Sequence, residues 1–248
     1  MRSISIIFSV VFVVLSVSVF AQTRKYSNEF LSIGVGARAL GMSKAQVASV
    51  SDVTSAYWNP AGLTKIDDNL QVAAQHAEYF AGIAKYDYAG FATKIDETSA
   101  FGISAIRFGV DDIPNTTQLI DQNGQVNYDR ITTFSAADYG FLISYAKKLG
   151  AKGLSIGGNG KVIYRQVGDM ARAWGFGIDI GMQYQFGKWN FGAVGRDVTS
   201  TFNSWSYSLD STTVAVFEQT GNAIPQNGFE ITLPKLAVGI GRKFVIKD

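Results

Sequence analysis

The sequence of 248 residues has no cysteine, one histidine, four prolines and only 17% charged residues. Without cysteine there is no disulfide framework, so packing and hydrogen bonds must hold the chain together. The single histidine, His76, excludes a metal site built from several histidines. A net charge of +2 without a dense basic stripe argues against nucleic-acid binding. We therefore expect no metal, no cofactor and no catalytic residue, and we do not expect an enzyme.

The first residues are typical of a secretory signal peptide. Arg2 is followed by a run of apolar residues and serines from Ile4 to Phe20. We predict cleavage after Ala21, which makes residues 1–21 the signal peptide. An uncleaved membrane anchor is the alternative, because about 17 apolar residues are near the lower limit for a spanning helix. In both cases the rest of the chain is exported.

From residue 69 onward the sequence alternates with a period of two. The clearest example is Trp174 to Phe186, where one face is large and apolar or aromatic and the other is glycine or polar. The segments are about ten residues long, with aromatic residues at the ends of the apolar face, which suits strands that cross a membrane. The opposite face is rich in glycine rather than charge, which suits a lumen filled by something close to the wall. We therefore predict that residues 69–248 form an all-β, antiparallel transmembrane barrel with about eight visible strands.

The connections between these strands differ in length, as they do in outer-membrane barrels. The turns near residues 96–98, 148–152 and 187–188 are short and are expected at the periplasmic side. The long polar connections 109–138 and 199–233 are expected outside the cell. The second of these carries apolar side chains that a solvated loop does not need. They make it a candidate partner-binding loop: Phe202, Trp205, Tyr207, Phe217 and Phe229.

Residues 22–68 show no period of two and are expected to form a separate N-terminal segment with short helices. A barrel of eight strands is filled by its own side chains and leaves no room for such a segment. A sheet in hydrocarbon must nevertheless close on itself. We therefore expect a larger barrel, either truncated here at its C-terminus or completed by strands that this chain lacks.

The informative part of this segment runs from Phe30 to Leu63. Asp52 is expected to cap a short helix through Trp58, which Pro60 ends. Gly62 is expected to allow the turn into the first strand. The glycines of the first half are expected to let the backbone pass close to the wall. The residues singled out are Gly34, Gly36, Arg38 and Gly41, and the motif Asn59, Pro60, Ala61 and Gly62.

This combination of residues resembles the PorV/PorQ family of outer-membrane proteins and, more distantly, the FadL transporters of long-chain fatty acids. The resemblance covers Phe30 to about Ile66 strongly, and the later strands in pattern. It implies a barrel in the bacterial outer membrane, surrounded by lipid, with the N-terminal segment inside as a plug. It places Asn59, Pro60 and Ala61 at the periplasmic side of the lumen.

The resemblance also implies a function in type IX protein secretion, through binding of exported cargo or of translocon partners. Two alternatives stay open. One is a FadL-like channel for hydrophobic small molecules with the plug as gate, and the other is a general porin without a dedicated partner. A channel for apolar solutes needs an apolar pocket inside the barrel, and the inward face here is polar and rich in glycine.

Overall fold

A computed structural model describes residues 27–120, 125–150 and 153–244. The predicted signal peptide and residues 22–26 lie outside this part of the chain. Ten antiparallel strands form one curled sheet around the segment that precedes them. None of the helices in the described ranges has the length and apolar character that crossing a membrane requires.

The strands are β1 (Leu70–Tyr79), β2 (Ala84–Lys94), β3 (Ser99–Asn115), β4 (Thr132–Lys148), β5 (Leu154–Val167), β6 (Ala171–Phe186), β7 (Trp189–Arg196), β8 (Phe202–Tyr207), β9 (Gly228–Ile231) and β10 (Lys235–Arg242). The α-helices are α1 (Ala37–Gly41), α2 (Ser55–Trp58) and α3 (Ser211–Gln219). Short 3₁₀ helices lie at Glu29–Ser32, Pro60–Lys65 and Tyr128–Arg130.

Neighbours in the sheet follow the order of the chain from β1 to β7, and β10 then pairs with β7. β8 continues the line of β7, because β6 pairs with β8 along its first half and with β7 along its second. β9 pairs with β8 and continues the line of β10. The segments therefore follow about eight lines across the sheet, as the sequence predicts. β1 forms one edge and β9 with β10 the other, so the described sheet is a curled half-barrel.

The two faces of β6 show what the alternation in the sequence means. Its large side chains, among them Trp174, Ile178 and Met182, point away from the N-terminal segment and are exposed. Its glycines and polar residues, among them Asp179 and Gln183, point inward and are buried. A soluble sandwich would bury the apolar face instead. The all-β barrel prediction is thus confirmed in the orientation of the strands.

Aromatic side chains lie on the outward face at two heights. At the first, Tyr139, Tyr164 and Trp174 are register neighbours on β4, β5 and β6, with ring centroids 6.1 and 4.7 Å apart. At the second, Tyr184 of β6 stacks with Phe191 of β7 at 6.5 Å. The two heights are about ten residues apart along β6, or roughly 33 Å at about 3.3 Å per residue. A tilt of about 40° reduces this to roughly 25 Å, the height of the lipid-facing band of outer-membrane barrels.

The connections divide the half-barrel into two ends. The turn end carries the tight connections after β2, β4 and β6, and the loop end carries residues 80–83, 116–131, 168–170 and 197–234. Two predicted loops are wrong in extent. β3 and β4 stay paired up to Asn115 and Thr132, so the connection is 116–131 rather than 109–138. The predicted loop 199–233 contains β8, α3 and β9. Strands that extend beyond the aromatic band can be polar on both faces, so their composition resembles that of a loop.

Candidate functional site

The N-terminal segment, residues 27–66, packs against the concave face of the sheet. Its apolar side chains and those of the inward wall form two buried clusters. To the larger cluster the segment contributes Phe30, Val35, Val50, Tyr57 and Trp58, and the wall contributes Tyr86, Tyr88, Ile106, Leu142 and Ile163. The smaller cluster joins Val53, Leu63 and Ile66 of the segment to Ala92, Ala100 and Ala146 of the wall. The segment is thus part of the same core as the strands.

Helix α2 lies in the last third of this segment, and one detail of its prediction is wrong. Its N-cap residue is Thr54, not Asp52. Asp52 stands two residues earlier, where its carboxylate accepts hydrogen bonds from the backbone N–H of Thr54 at 2.8 Å and from the Thr54 hydroxyl. The carboxylate is satisfied there by a local turn, as short polar side chains often are. The helix ends at Trp58, before Pro60, as predicted.

Asn59 connects the segment to two strands of the wall. Its fully buried side-chain amide donates to the carbonyl oxygens of Val47 at 2.8 Å, Met182 of β6 at 3.0 Å and Ala193 of β7 at 3.4 Å. Its side-chain oxygen accepts from the backbone N–H of Ala61 at 3.2 Å. Only a side chain with both a donor and an acceptor can do this, which explains an asparagine here.

The predicted reasons for the glycines of the segment are mostly wrong. Gly34 and Gly36 have φ values of 103° and 84°, a conformation that favours glycine, and a Cβ on either would meet side chains of the segment itself rather than the wall. A Cβ on Gly41 would meet nothing within 4 Å, and Arg38 is exposed. Gly62 lies within a 3₁₀ helix rather than in a turn into β1, and a Cβ there would stand 2.5 Å from the carbonyl oxygen of Val50.

Close approach to the wall depends instead on glycines of the strands. A Cβ on Gly157 of β5 would lie 2.6 Å from the carbonyl carbon of Pro60. One on Gly181 of β6 would lie 2.8 Å from Cδ of the same proline. One on Gly192 of β7 would lie 2.6 Å from Cα of Ala48. The sequence predicts a filled lumen from the glycine-rich face, but it does not show which glycines meet which part of the segment.

A buried ion network fixes the wall beside α2. The ammonium group of Lys161 in β5 pairs with Asp179 of β6 at 2.8 Å and with Asp197, which follows β7. The backbone N–H of Asp197 donates to the carboxylate of Asp179 at 2.8 Å. The Asn159 amide donates to the carbonyl oxygen of Ala56 at 2.7 Å, so the same wall also holds the helix. Sequence analysis places Asp179 on the polar face but does not reveal its partners.

Arg196, at the end of β7, holds the C-terminal end of α2. Its guanidinium group donates to the carbonyl oxygen of Tyr57 at 3.0 Å and lies over the ring of Tyr57 at 4.9 Å. Cations near the last carbonyl groups of a helix are favourable. Burial raises the pKa of the Tyr57 phenol. Its hydroxyl therefore stays protonated and donates to the carbonyl oxygen of Leu31 at 2.5 Å.

The predicted partner-binding residues divide into two groups. Phe202 and Phe229 point outward from β8 and β9 and are exposed. Trp205 and Tyr207 of β8 and Phe217 of α3 line one pocket of about 400 Å³ at the loop end, together with Arg165, Val167, Met170, Ala171, Leu209, Pro225 and Glu230. The structure thus brings three of the five side chains together and separates the other two from them.

A charged group forms one wall of this pocket. The guanidinium group of Arg165 lies 5.0 Å from the ring centroid of Trp205. It pairs with Asp138 at 2.7 Å and with Glu230 at 3.3 Å. The rings of Trp205 and Tyr207 stack at 5.9 Å. The arginine is therefore held as a flat surface beside the aromatic wall.

Comparison with known proteins gives one family. A family model described as the type IX secretion system protein PorV matches residues 21–203, about three quarters of the chain. The match includes the N-terminal segment and strands β1 to β7, and it confirms the resemblance to PorV. The more distant resemblance to FadL transporters is not confirmed. No curated protein matches the chain.

Proposed function

The chain belongs to the PorV family of type IX secretion system proteins, and from this premise we propose that it binds exported cargo or a translocon partner at its loop-end pocket. Family membership gives the chain a role in type IX secretion. PorV is a family of secretion-system proteins that is not known for enzymatic activity. The finer parts of the proposal are its place in the membrane, the plug and the binding pocket.

We place the half-barrel in the bacterial outer membrane after cleavage behind Ala21, with lipid around it. Large side chains such as Ile178, Ile180 and Met182 are about half exposed on the outward face. Water contact with so much apolar surface is unfavourable by about 25 cal/mol per Å². The aromatic bands are spaced for a membrane. We assign the loop end to the outside of the cell and the turn end to the periplasm, because outer-membrane barrels have short turns at the periplasmic side and long loops outside.

We assign the N-terminal segment, within residues 22–68, the function of a plug that is fixed rather than moved by solutes. Four strands bind its backbone through side chains. Gln75 of β1 accepts from Gly36 at 2.6 Å, and Gln183 of β6 donates to Val50 at 3.1 Å. Asn159 and Arg196 act similarly on α2. Buried hydrogen bonds of this kind are costly to break, which favours a binding protein over a channel.

The chemistry of the pocket suits a polypeptide segment with an aromatic or aliphatic side chain. Its walls are largely apolar, and its volume is in the range of ligand sites. The charge of Arg165 is already paired, so the pocket offers a stacking surface more than a charged one. The indole N–H of Trp205 is buried without an acceptor among the described residues, and a peptide carbonyl group can accept from it.

The test is affinity purification of the tagged protein from its own envelope in mild detergent. We compare the wild type with a variant carrying Trp205→Ala and Phe217→Ala. Recovery of type IX components or exported proteins should fall about tenfold or more, because aromatic anchors carry much of the energy of an interface. Trp189→Ala is the matched control, since Trp189 lies on the outward face at the turn end.

Equal recovery of these partners with all three proteins would show that the partner binds outside the pocket. Purification without any secretion component would count against partner binding altogether. Ion conductance in planar bilayers separates the alternatives, because a general porin conducts and a plugged barrel does not.

A further inference from the structure

The loop end carries an arm, residues 202–231, which consists of β8, α3, β9 and the chain between them. The arm joins the rest of the wall through the ladder of β8 with β6 and through two interruptions of the ladder, Asp197–Thr201 between β7 and β8 and residues 232–234 between β9 and β10. Asp197 and Ser200 have φ values of 55° and 58°, which few residues other than glycine adopt. Both junctions of the arm are therefore irregular backbone. Two backbone hydrogen bonds, from Thr232 to the carbonyl oxygen of Thr201 at 2.7 Å and from Val198 to that of Ile178 at 2.9 Å, hold them together with side-chain contacts.

Ser27 and Asn28 hold β8 and the second junction from inside. The Asn203 amide donates to the side-chain oxygen of Asn28 at 3.0 Å and to the hydroxyl of Ser27. The Asn28 amide donates to the hydroxyl of Thr232 at 2.8 Å, and that hydroxyl donates to the carbonyl oxygen of Ser27 at 3.2 Å. We call these four residues the latch. Their exposed fractions are between 0 and 6%, so water cannot readily replace the bonds.

The latch and the pocket share one strand and one carboxylate. Asn203, Trp205 and Tyr207 alternate on the inward face of β8, so a shift of the strand moves all three together. Glu230, in the pocket wall, accepts a hydrogen bond from the hydroxyl of Ser27 at 3.3 Å and pairs with Arg165. The position of the N-terminal segment therefore bears directly on the shape of the pocket.

On its other side the latch continues into the core of the segment. Asn28 stands at the N-cap position of the 3₁₀ helix Glu29–Ser32, and its backbone carbonyl oxygen accepts from the N–H of Leu31 at 3.0 Å. Within this helix Phe30 is buried, and the carbonyl oxygen of Leu31 accepts a hydrogen bond from the hydroxyl of Tyr57. Release of Asn28 would thus loosen the first part of the segment as well as the arm. The hydrogen bond between Asn203 and Asn28 joins positions 175 residues apart in the chain, so it is a tertiary contact and not a feature of local geometry.

We propose that the N-terminal segment regulates the pocket through this latch, so that a seated latch and an occupied pocket stabilise each other. The occupant is that of the proposed function, an exported or translocon polypeptide. The coupling between segment and arm does not depend on that assignment and is measurable in the isolated protein. Linkage is reciprocal. The factor by which a seated latch raises the affinity of the pocket therefore equals the factor by which an occupied pocket stabilises the seated latch.

Hydrogen exchange of the full chain in detergent, without any partner, tests the coupling. Thr232→Val removes the latch hydroxyl at nearly constant volume, and Asn203→Ala removes the amide. Each should speed exchange about tenfold both in residues 29–35 and in β8 and β9, while β3 and β4 stay unchanged. Unchanged exchange in β3 and β4 also shows that the variant is folded.

The arm offers matched controls. Thr220→Val removes a hydroxyl that donates within α3, and Asn227→Ala removes an acceptor for the Tyr207 N–H. Neither should affect residues 29–35. Acceleration confined to the substituted side would overturn the coupling, since it would show only local packing. If exchange is coupled but Thr232→Val recovers as much partner as the wild type does, the regulatory part fails while the proposed function stands.

Discussion

Lys161 and Asp179 form an ion pair of 2.8 Å inside the wall, with 4 and 5% of their side chains exposed. Asp197 completes the network from the junction after β7. Removing the lysine leaves two buried carboxylates without their cation, which destabilises a fold by about 3–5 kcal/mol. We expect Lys161→Met to lower the free energy of unfolding by this amount in urea titrations in detergent. Lys188→Met, in the exposed turn between β6 and β7, should change it little, and equal stability of the two variants would show that the pair is dispensable.

We predict opposite effects on stability for alanine substitutions at two glycines of β5. Gly157 faces Pro60 and has no space for a Cβ, whereas Gly160 faces outward with nothing within 4 Å of the added atom. Gly157→Ala should destabilise the protein by about 1–3 kcal/mol, as overpacking does. Gly160→Ala should be neutral or slightly stabilising, because it restricts the unfolded chain. Thermal unfolding of both variants decides, and the reverse order would mean that the segment does not lie against β5.

Asn59→Asp tests how the segment is anchored. The substitution keeps the shape but turns a donor to three carbonyl groups into a carboxylate that faces them. We expect the segment to leave the wall, which would expose Tyr57 and Trp58 to chymotrypsin at a much higher rate. Asn222→Asp, on the exposed side of the arm, is the control. Chymotrypsin should cleave it at Tyr57 and Trp58 no faster than it cleaves the wild type. Protection of these two sites in Asn59→Asp would show that Asn59 is not an anchor.

The sequence predicts those features that depend on local pattern. The period of two fixes which face of β6 points outward, and Pro60 ends α2 because proline disfavours a helical residue before it. It does not predict partners far along the chain. Asn59 meets carbonyl groups 123 and 134 positions away, and Lys161 meets Asp197 through the irregular junction after β7. No periodicity carries such information.

The arm shows a second limit of the sequence. Beyond the aromatic band a strand no longer needs an apolar face, so β8 and β9 alternate too weakly to be told from a loop. Their aromatic residues indicate a contact surface, but only the fold separates the inward Trp205 from the outward Phe229. The pocket therefore follows from tertiary structure, although its residues are visible in the sequence.

A charge on the outward face tests whether that face meets lipid. Ile180 lies between the two aromatic heights of β6, near the middle of the proposed band. Lysine at such a depth is unfavourable by about 2–4 kcal/mol in outer-membrane barrels, and by little near the interface. We expect Ile180→Lys to lose this much stability when folded into phospholipid vesicles and titrated with urea. Ser206→Lys is the control, because Ser206 points outward on β8 opposite Arg172, beyond Trp174. If Ile180→Lys were as stable in vesicles as Ser206→Lys, the apolar face would not lie in the hydrocarbon, and the membrane assignment would fail with it.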